Sequence, residues 1–531
     1  MKMKKPAAVA VSSVLLLSQF CLPVSAESWA ILGTRPLGMG GAFVAVAHGN
    51  LAQYWNPAGL AQLDNVSGLQ IPIGGRAELT GGVLRDANTL ADLSSKYSGI
   101  KTAQTSGTAG AMDADKFAAF FEGLKSINSM NQPGKGALVN AEGGVNIKIK
   151  RFVLSVNNFT AVGAAPSIDV TNIGLGSATG VSGVSFTGTS TAVPIGTKLT
   201  ARNTIDAALS ATDWTNINNL TGGALAAAGI TTKTLLANAI VNLAASNGIS
   251  DAQITEAANK IAESAPGALP VIAAGAAGNP YTNNQTSLAL KAGSFTEASL
   301  SYARNAYFKG FYVGGNLKAI AGRLAYQKFD VLSKEVDRSE VFDMSKKTKV
   351  SVQPSIDLGL LLDMKEQWGW WLHPRLGLVA RNINSPKFKQ PDIAVLNGAG
   401  DKYALKPQLR GGLAISPFRW WTIATDLDLT KNKTQLPGFE SRLFSAGTEI
   451  NIFNRSWINI PLRVGIMKNL ADSESKSAYT AGIGLNFLHI IVDVGGALSS
   501  EKVVLDTSKS GGKAEEVFAN VGVAGQIAFL F

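Results

Sequence analysis

Three histidines (His48, His373 and His489) and one cysteine (Cys21) are the only imidazole and thiol side chains in a 531-residue chain. Nucleophilic catalysis needs a nucleophile, a base and a group that orients the base. His373 and His489 fall beside expected turns and His48 in a glycine-rich stretch near the N-terminus, so each reads as a local hydrogen-bonding residue. Cys21 lies inside an export signal, which leaves the mature chain without a thiol. That excludes disulfides, a cysteine nucleophile, Cys-ligated zinc and iron–sulfur clusters. No enzyme, cofactor or metal site is expected. The net charge of +11 comes from basic residues scattered along the chain without a Lys/Arg run, so no nucleic-acid groove is indicated. The charges that remain informative sit at alternate positions of apolar stretches: Lys318, Asp357, Arg375, Arg381, Lys406, Arg410, Asp426, Asp428, Arg463 and Asp493.

Alternation of that kind places those charges on strands. From Val517 to Phe531 the odd positions (Val521, Val523, Ile527, Phe529, Phe531) are apolar, and the even ones (Asn520, Gly522, Ala524, Gln526) are small or polar. This is the period of a strand with one apolar face. The pattern recurs in 348–363, 403–416 and 476–488. Taken together the candidates are 67–84, 136–149, 151–163, 286–305, 307–329, 347–364, 368–383, 403–416, 419–431, 439–452, 456–469, 476–488, 489–499 and 517–531, about 14 strands. Their connections alternate. Tight turns are expected near Lys150-Arg151, Asn305-Ala306, Glu366-Gln367, Pro417-Phe418, Asn454-Arg455 and Leu488-His489, and the intervening connections are long. Apolar outward faces, few inward charges and a short–long rhythm predict an all-β transmembrane fold, an antiparallel outer-membrane barrel of about 14 strands. Trp368, Trp370, Trp371, Trp420, Trp421 and Trp457 lie beside the short turns, as an interfacial aromatic belt would place them. Two long insertions, 85–135 and 164–285, carry helical patterns and are expected to cap the barrel outside the cell. Their candidates are Asp86–Tyr97, Met112–Met130, Thr232–Ala245 and Ala252–Ser264. The last is opened by a Ser250/Gln253 capping box and broken by Pro266 and Pro270.

The N-terminus supplies the rest of the organisation. Residues 1–26 combine a basic start, a short apolar run and small residues at Ser25-Ala26, the pattern of a cleaved export signal. Residues 27–66 precede the first strand of a barrel spanning 67–531. They contain Gly33-Thr-Arg-Pro-Leu-Gly-Met-Gly-Gly-Ala42 and Gln53-Tyr-Trp-Asn-Pro-Ala-Gly-Leu60. Gly38, Gly40 and Gly41 permit close backbone packing, and Asn56-Pro57 starts a turn. A compact segment in this place suits a plug inside the lumen. The inward charges, present in both signs, would seat it by ion pairs, since buried charges need partners. The same charges could line a polar path instead.

At these residues the chain resembles the FadL-like outer-membrane family, whose hatch carries an Asn-Pro-Ala element matching Asn56, Pro57 and Ala58. Within it, the chain is most similar to a branch labelled as conjugal-transfer TraF-like. The resemblance implies a 14-stranded barrel with a lumenal N-terminal plug, carrying hydrophobic compounds across the outer membrane. The 164–285 insert puts the family's ligand residues beyond transfer.

The expected function is passive movement of hydrophobic or amphipathic small molecules, gated by the plug at Gly38, Gly40, Gly41, Asn56, Pro57 and Ala58. Capture would occur in an apolar pocket under the outer loops. Expected partners are outer-membrane lipid, a fatty acid-like or other hydrophobic ligand, and the barrel-assembly machinery through Phe531. The alternative is a structural, secretion- or conjugation-associated scaffold that binds a protein partner through 164–285.

Overall fold

The computed structural model describes residues 26–62, 66–89, 114–172, 189–276, 284–330, 348–365, 372–455, 457–506 and 514–531. The export-signal stretch through Ser25 with Cys21, the tryptophans at 368, 370 and 371, the turn expected at Glu366-Gln367 and most of the helix expected from Asp86 lie outside the described residues.

Fourteen strands close into one antiparallel barrel in chain order. They are β1 (Gly68–Thr80), β2 (Gly136–Ile149), β3 (Phe152–Ser167), β4 (Ser287–Asn305), β5 (Phe311–Asp330), β6 (Thr348–Asp363), β7 (Arg375–Arg381), β8 (Gln408–Phe418), β9 (Trp421–Asp428), β10 (Leu443–Ile452), β11 (Ile458–Asn469), β12 (Ala478–Phe487), β13 (Ile490–Ser499) and β14 (Asn520–Leu530). The barrel closes where β1 pairs with β14, from Gly68↔Leu530 to Glu78↔Asn520. Closure removes every sheet edge, the condition for strands to cross a bilayer. The outward face is apolar: Ile73, Leu317, Val352 and Val523 are each more than 60% exposed. In a water-soluble sheet such residues would face the core, so this is an outer-membrane barrel. No described helix is long and apolar enough to cross a membrane.

Two expected strands are shorter than their patterns. The stretch 403–416 enters the barrel only at Gln408, and 368–383 only at Arg375. Pro407 and Pro374 stand just before these starts, and proline has no N–H to give a ladder. Leu405, expected on the lipid face, is instead buried with Phe295, Ile320, Leu324 and Phe388. Lys406, expected in the lumen, belongs to the connection before β8 and not to any strand.

The short turns gather at one end and the long connections at the other. Trp420 and Trp457 are exposed at the short-turn end, and Trp420 stacks on Phe418 with centroids 5.2 Å apart. At the opposite end the connections after β7 and β9 fold back into the mouth. A ribbon pairing Lys387–Lys389 with Lys402–Ala404 drives Phe388 into the wall cluster, while Leu436 and Phe439 pack on Leu138.

The insertions form a helical unit with its own apolar core: α1 (Ala114–Met130), α2 (Thr197–Ala208), α3 (Ala211–Leu220), α4 (Lys233–Ser246) and α5 (Asp251–Gly275). The Ser250/Gln253 capping box is present. The break expected at the prolines is not: α5 runs through Pro266 and Pro270 to Gly275. Proline inside a helix costs about 3 kcal/mol. Here both prolines lie on the exposed side, while Ala265, Ala268, Val271 and Ile272 bury the opposite face. Packing against α1 therefore outweighs the lost hydrogen bonds. Asp169 staples the neck of the unit, accepting from the backbone N–H groups of Thr171, Asn172 and Gln285. The Asn172 side-chain amide, donating at 2.6 Å, and then those backbone donors hold its carboxyl below the usual range against the effect of burial.

Candidate functional site

Residues 28–62 are almost wholly buried although the barrel's outer face is not. They begin at the long-connection end, where Ala26–Glu27 pairs with Asn432–Lys433. They finish at the short-turn end, where Asn50 Nδ2 donates to the carbonyls of Gly68 and Asn146 at 2.7 and 2.8 Å. Their contacts fall on strands all round the wall, so the segment occupies the lumen. Its own core is aromatic and aliphatic: Trp55 Nε1 donates to Leu32 O at 2.9 Å, and Tyr54 packs edge-on to Trp55 with centroids 5.6 Å apart.

Three buried ionic clusters on the wall meet this segment. On β4 to β7, Lys318 Nζ lies 3.2 Å from Glu297 and 3.0 Å from Asp357, and Arg381 lies 3.0 Å from Glu297. Asn316 joins Asp357 to the carbonyl of Gln53 at 2.8 and 2.7 Å, and the Arg381 guanidinium stands 4.1 Å from the Tyr54 ring centre. On β8 and β9, fully buried Arg410 pairs with Asp428 at 3.2 Å and Asp426 at 3.5 Å. Arg410 also donates to the carbonyl of Gly41 at 2.9 Å, and Asp426 accepts from the N–H groups of Phe43 and Val44 at 2.7 and 2.9 Å. On β10, β11 and β13, Arg463 bridges Glu449 and Asp493 at 2.7 and 2.9 Å. Arg35, from the segment itself, grips Glu449 at 2.7 and 2.8 Å.

Of the ten expected lumen charges, eight belong to these clusters. Arg375 faces the lumen outside them, and Lys406 is not on a strand. Glu297, Glu449 and Arg35 were not anticipated. Glu297 and Glu449 stand in register with inward neighbours (Ser299, Gly447), so the same alternation carries their signal.

Gly38, Gly40 and Gly41 pack against β10 to β12. A Cβ on Gly40, whose φ is +68°, would stand 2.5 Å from the carbonyl oxygen of Ile466, so backbone meets backbone there. Asn56 donates to the carbonyls of Val44 and Leu360 at 3.1 and 3.0 Å and accepts from Ala58 N–H at 3.2 Å. One amide thereby ties the segment's turn to itself and to β6. Pro57 and Ala58 follow it against bare wall: Cβ atoms built on Gly314 and Gly359 would stand 2.4 and 2.8 Å from atoms of Pro57.

Beneath the segment, at the short-turn end, an open vestibule of about 670 Å³ is lined by Arg35, His48, Arg375, Arg419, Asn451 and Asn459 among others. Above it, beside Trp29, Ile31 and Leu138, the space amounts to about 30 Å³ and is shared with Arg76 and Glu142. It has room for two or three waters at about 10–15 Å³ each and is too small to be the apolar capture pocket expected under the outer loops.

The family model described as "F plasmid transfer operon, TraF, protein" matches residues 53–428, more than half the chain. The chain belongs to this family. No curated protein matches it. Among solved structures, this TraF-family chain is similar to the toluene transporter TbuX of Ralstonia pickettii (10% identity, TM-score 0.40, covering 94% of this chain and 98% of that one). It is also similar to the toluene transporter TodX of P. putida (9%, 0.39, 95% and 99%) and to a Pseudomonas aeruginosa FadL homologue (8%, 0.37, 96% and 98%). At these values the likeness adds nothing to what the closed barrel itself shows.

His48 contributes a pH dependence. Its Nδ1–H donates to the carbonyl of Val46 at 2.9 Å, which leaves Nε2 to accept from Arg35 Nη1 at 3.0 Å. Burial first, then the Arg35 guanidinium, push the imidazole down to about 3; Glu449 and Arg375 are the other charges that act on it. Released into water it would titrate near 6.5. A base with a lowered pKa in place favours the packed state above 6.5 and loses that contribution as pH falls from 6.5 towards 3. Residues 28–62 should therefore loosen with acid over that window, and His48→Gln should flatten the response. Bilayer conductance against pH in both forms checks this; identical profiles would remove His48 from the account.

Proposed function

We propose that the chain is a passive outer-membrane channel for hydrophobic or amphipathic small molecules, closed at rest by residues 28–62 acting as a hatch. The long connections and helical unit face outward and the short turns face the periplasm. The observation that carries this reading is the seat: a lumenal segment held to the wall by three ionic clusters and by Asn56, a stopper made of the chain itself. Phe388 and Phe439 fill the outer mouth, so entry requires the connections after β7 and β9 to move.

A hydrophobic molecule that reached the vestibule would meet amides and guanidiniums beside apolar side chains such as Leu51 and Ile491. The ladder between β1 and β2 offers another exit. It pairs Gln70 with Asn146 and Ile73 with Gly143, but Ile71 and Pro72 have no partners on β2. Pro72 has no N–H to donate. Release sideways into the bilayer at that gap keeps the cargo out of water.

The second reading is a scaffold for a protein partner, favoured by the separately packed helical unit and by the plasmid-transfer wording of the family's description. One experiment separates them. Replacing Asn56-Pro57-Ala58 by glycines should raise single-channel conductance in a planar bilayer and speed uptake of a labelled fatty acid by proteoliposomes. Unchanged currents would mean that this segment is not the gate. Absent uptake in both forms would favour the scaffold.

A further inference from the structure

The vestibule holds a cation that forms no ion pair with any carboxylate among the described residues. Arg375 opens β7, and its Nη2 donates to Ser416 Oγ at 2.7 Å, which lies 3.0 Å from Thr422 Oγ1. Its cross-strand neighbour is Asp363. That carboxylate is occupied by His373 Nε2 at 2.7 Å and by the N–H of Lys365 at 2.9 Å. The other two carboxylates among the described residues of the lining, Glu449 and Asp493, are held by Arg35 and Arg463. Among the described residues Arg375 forms no ion pair, and its Nε is shut off from solvent with no acceptor. A guanidinium that leaves an N–H unmet and has no carboxylate partner keeps much of its desolvation cost, so an anion reaching it from the vestibule gains what the chain does not supply. The vestibule's lining is mixed: Thr422, Asn451 and Asn459 offer hydroxyl and amide groups, and Leu51, Ile491 and Leu530 offer apolar side chains.

We propose that Arg375, with Ser416 and Thr422 beside it, binds one small oxyanion, a carboxylate or a phosphate, entering from the short-turn mouth. The planar fork of a guanidinium suits both, and its charge makes the hydrogen bonds strong. The site stands on its own geometry and does not need the transport reading. Its ligand could be a free ion or the headgroup of an anionic amphiphile leaving the lumen.

Calorimetric titration of the full chain in detergent, with inorganic phosphate and separately with octanoate, distinguishes these sources. Saturable binding is expected for at least one. Arg375→Gln should weaken it roughly 10- to 100-fold, with Arg375→Lys between the two. A response to phosphate alone assigns a free ion, and one to octanoate alone a headgroup. No saturable binding by the unaltered protein, or equal binding by Arg375→Gln, overturns the site. A measurement on the unaltered chain guards against a variant that does not fold: the bound anion should protect Arg375 from an arginine-specific dicarbonyl reagent, read by mass spectrometry. Modification unaffected by either anion also overturns it.

Discussion

Replacing Lys318 with methionine should cost the barrel about 3–5 kcal/mol, the usual loss when one member of a buried ionic cluster is removed. Lys318 is 5% exposed and stands between Glu297 and Asp357, with Arg381 as the only other cation of the cluster. Without it, two carboxylates share one guanidinium in a space closed to water. Asn382 also loses the ammonium that donates to its Oδ1 at 2.9 Å. Methionine nearly matches the lysine stem in volume, so the loss reports charge rather than a cavity. The double variant Lys318→Met/Glu297→Gln removes one charge of each sign and leaves Asp357 with Arg381. It should recover part of the loss, and that recovery is the coupling within the cluster. The urea midpoint of folding in detergent is the readout. A single variant within about 0.5 kcal/mol of the parent, the range of an ordinary surface change, would mean that the cluster is solvated and does not bear on the fold.

That cluster also shows what the sequence could and could not reveal. Alternation exposes strands whenever one face meets lipid, which is why Val350, Val352, Ile356 and Leu358 mark β6 without help. The same alternation turns Lys318, Asp357 and Arg381 inward. It carries no information about which charge meets which, because Lys318 and Glu297 become neighbours only through the pairing of β4 with β5. Where the alternation ran past a strand's true start, proline chemistry decided: Lys406 falls before Pro407 and Leu405 turns into an apolar cluster. The helical unit was legible from its caps, as at Ser250, but not in its length. Whether a helix survives Pro266 depends on what lies against its other side, a tertiary fact. Arg35 was missed because it lies in a helix of five residues, Thr34–Gly38, too short to show a period. Its role emerges only when residues 28–62 are laid against β10 and Glu449.

A wedge in the wall should unseat the hatch while leaving the barrel standing. Gly359 on β6 faces the lumen, and a Cβ there would stand 2.2 Å from Asn56 Oδ1 and 2.8 Å from Pro57 Cδ. Contacts that short do not persist, so in Gly359→Val either the wall or the hatch must move. The wall is held by ladders on both sides, Gly359↔Gly314 and Gly359↔Val379, whereas the hatch turn is tied here chiefly by the Asn56 amide. The hatch should give way, losing the bond from Asn56 to Leu360 O. Overpacking costs about 1–3 kcal/mol, and a loss near 2 kcal/mol shifts the open-to-closed ratio roughly 30-fold. Gly411 provides the control. It faces outward from β8, and a Cβ there would meet only Leu429 and Leu378 side chains at 3.8 and 3.9 Å. Gly411→Val makes the same chemical change on the lipid side and should leave the conductance alone. Planar-bilayer recording of both variants decides: currents raised in Gly359→Val and not in Gly411→Val tie the gate to the hatch turn. Equal currents in the two would leave the turn at Asn56 as packing, with the lumen closed by something else.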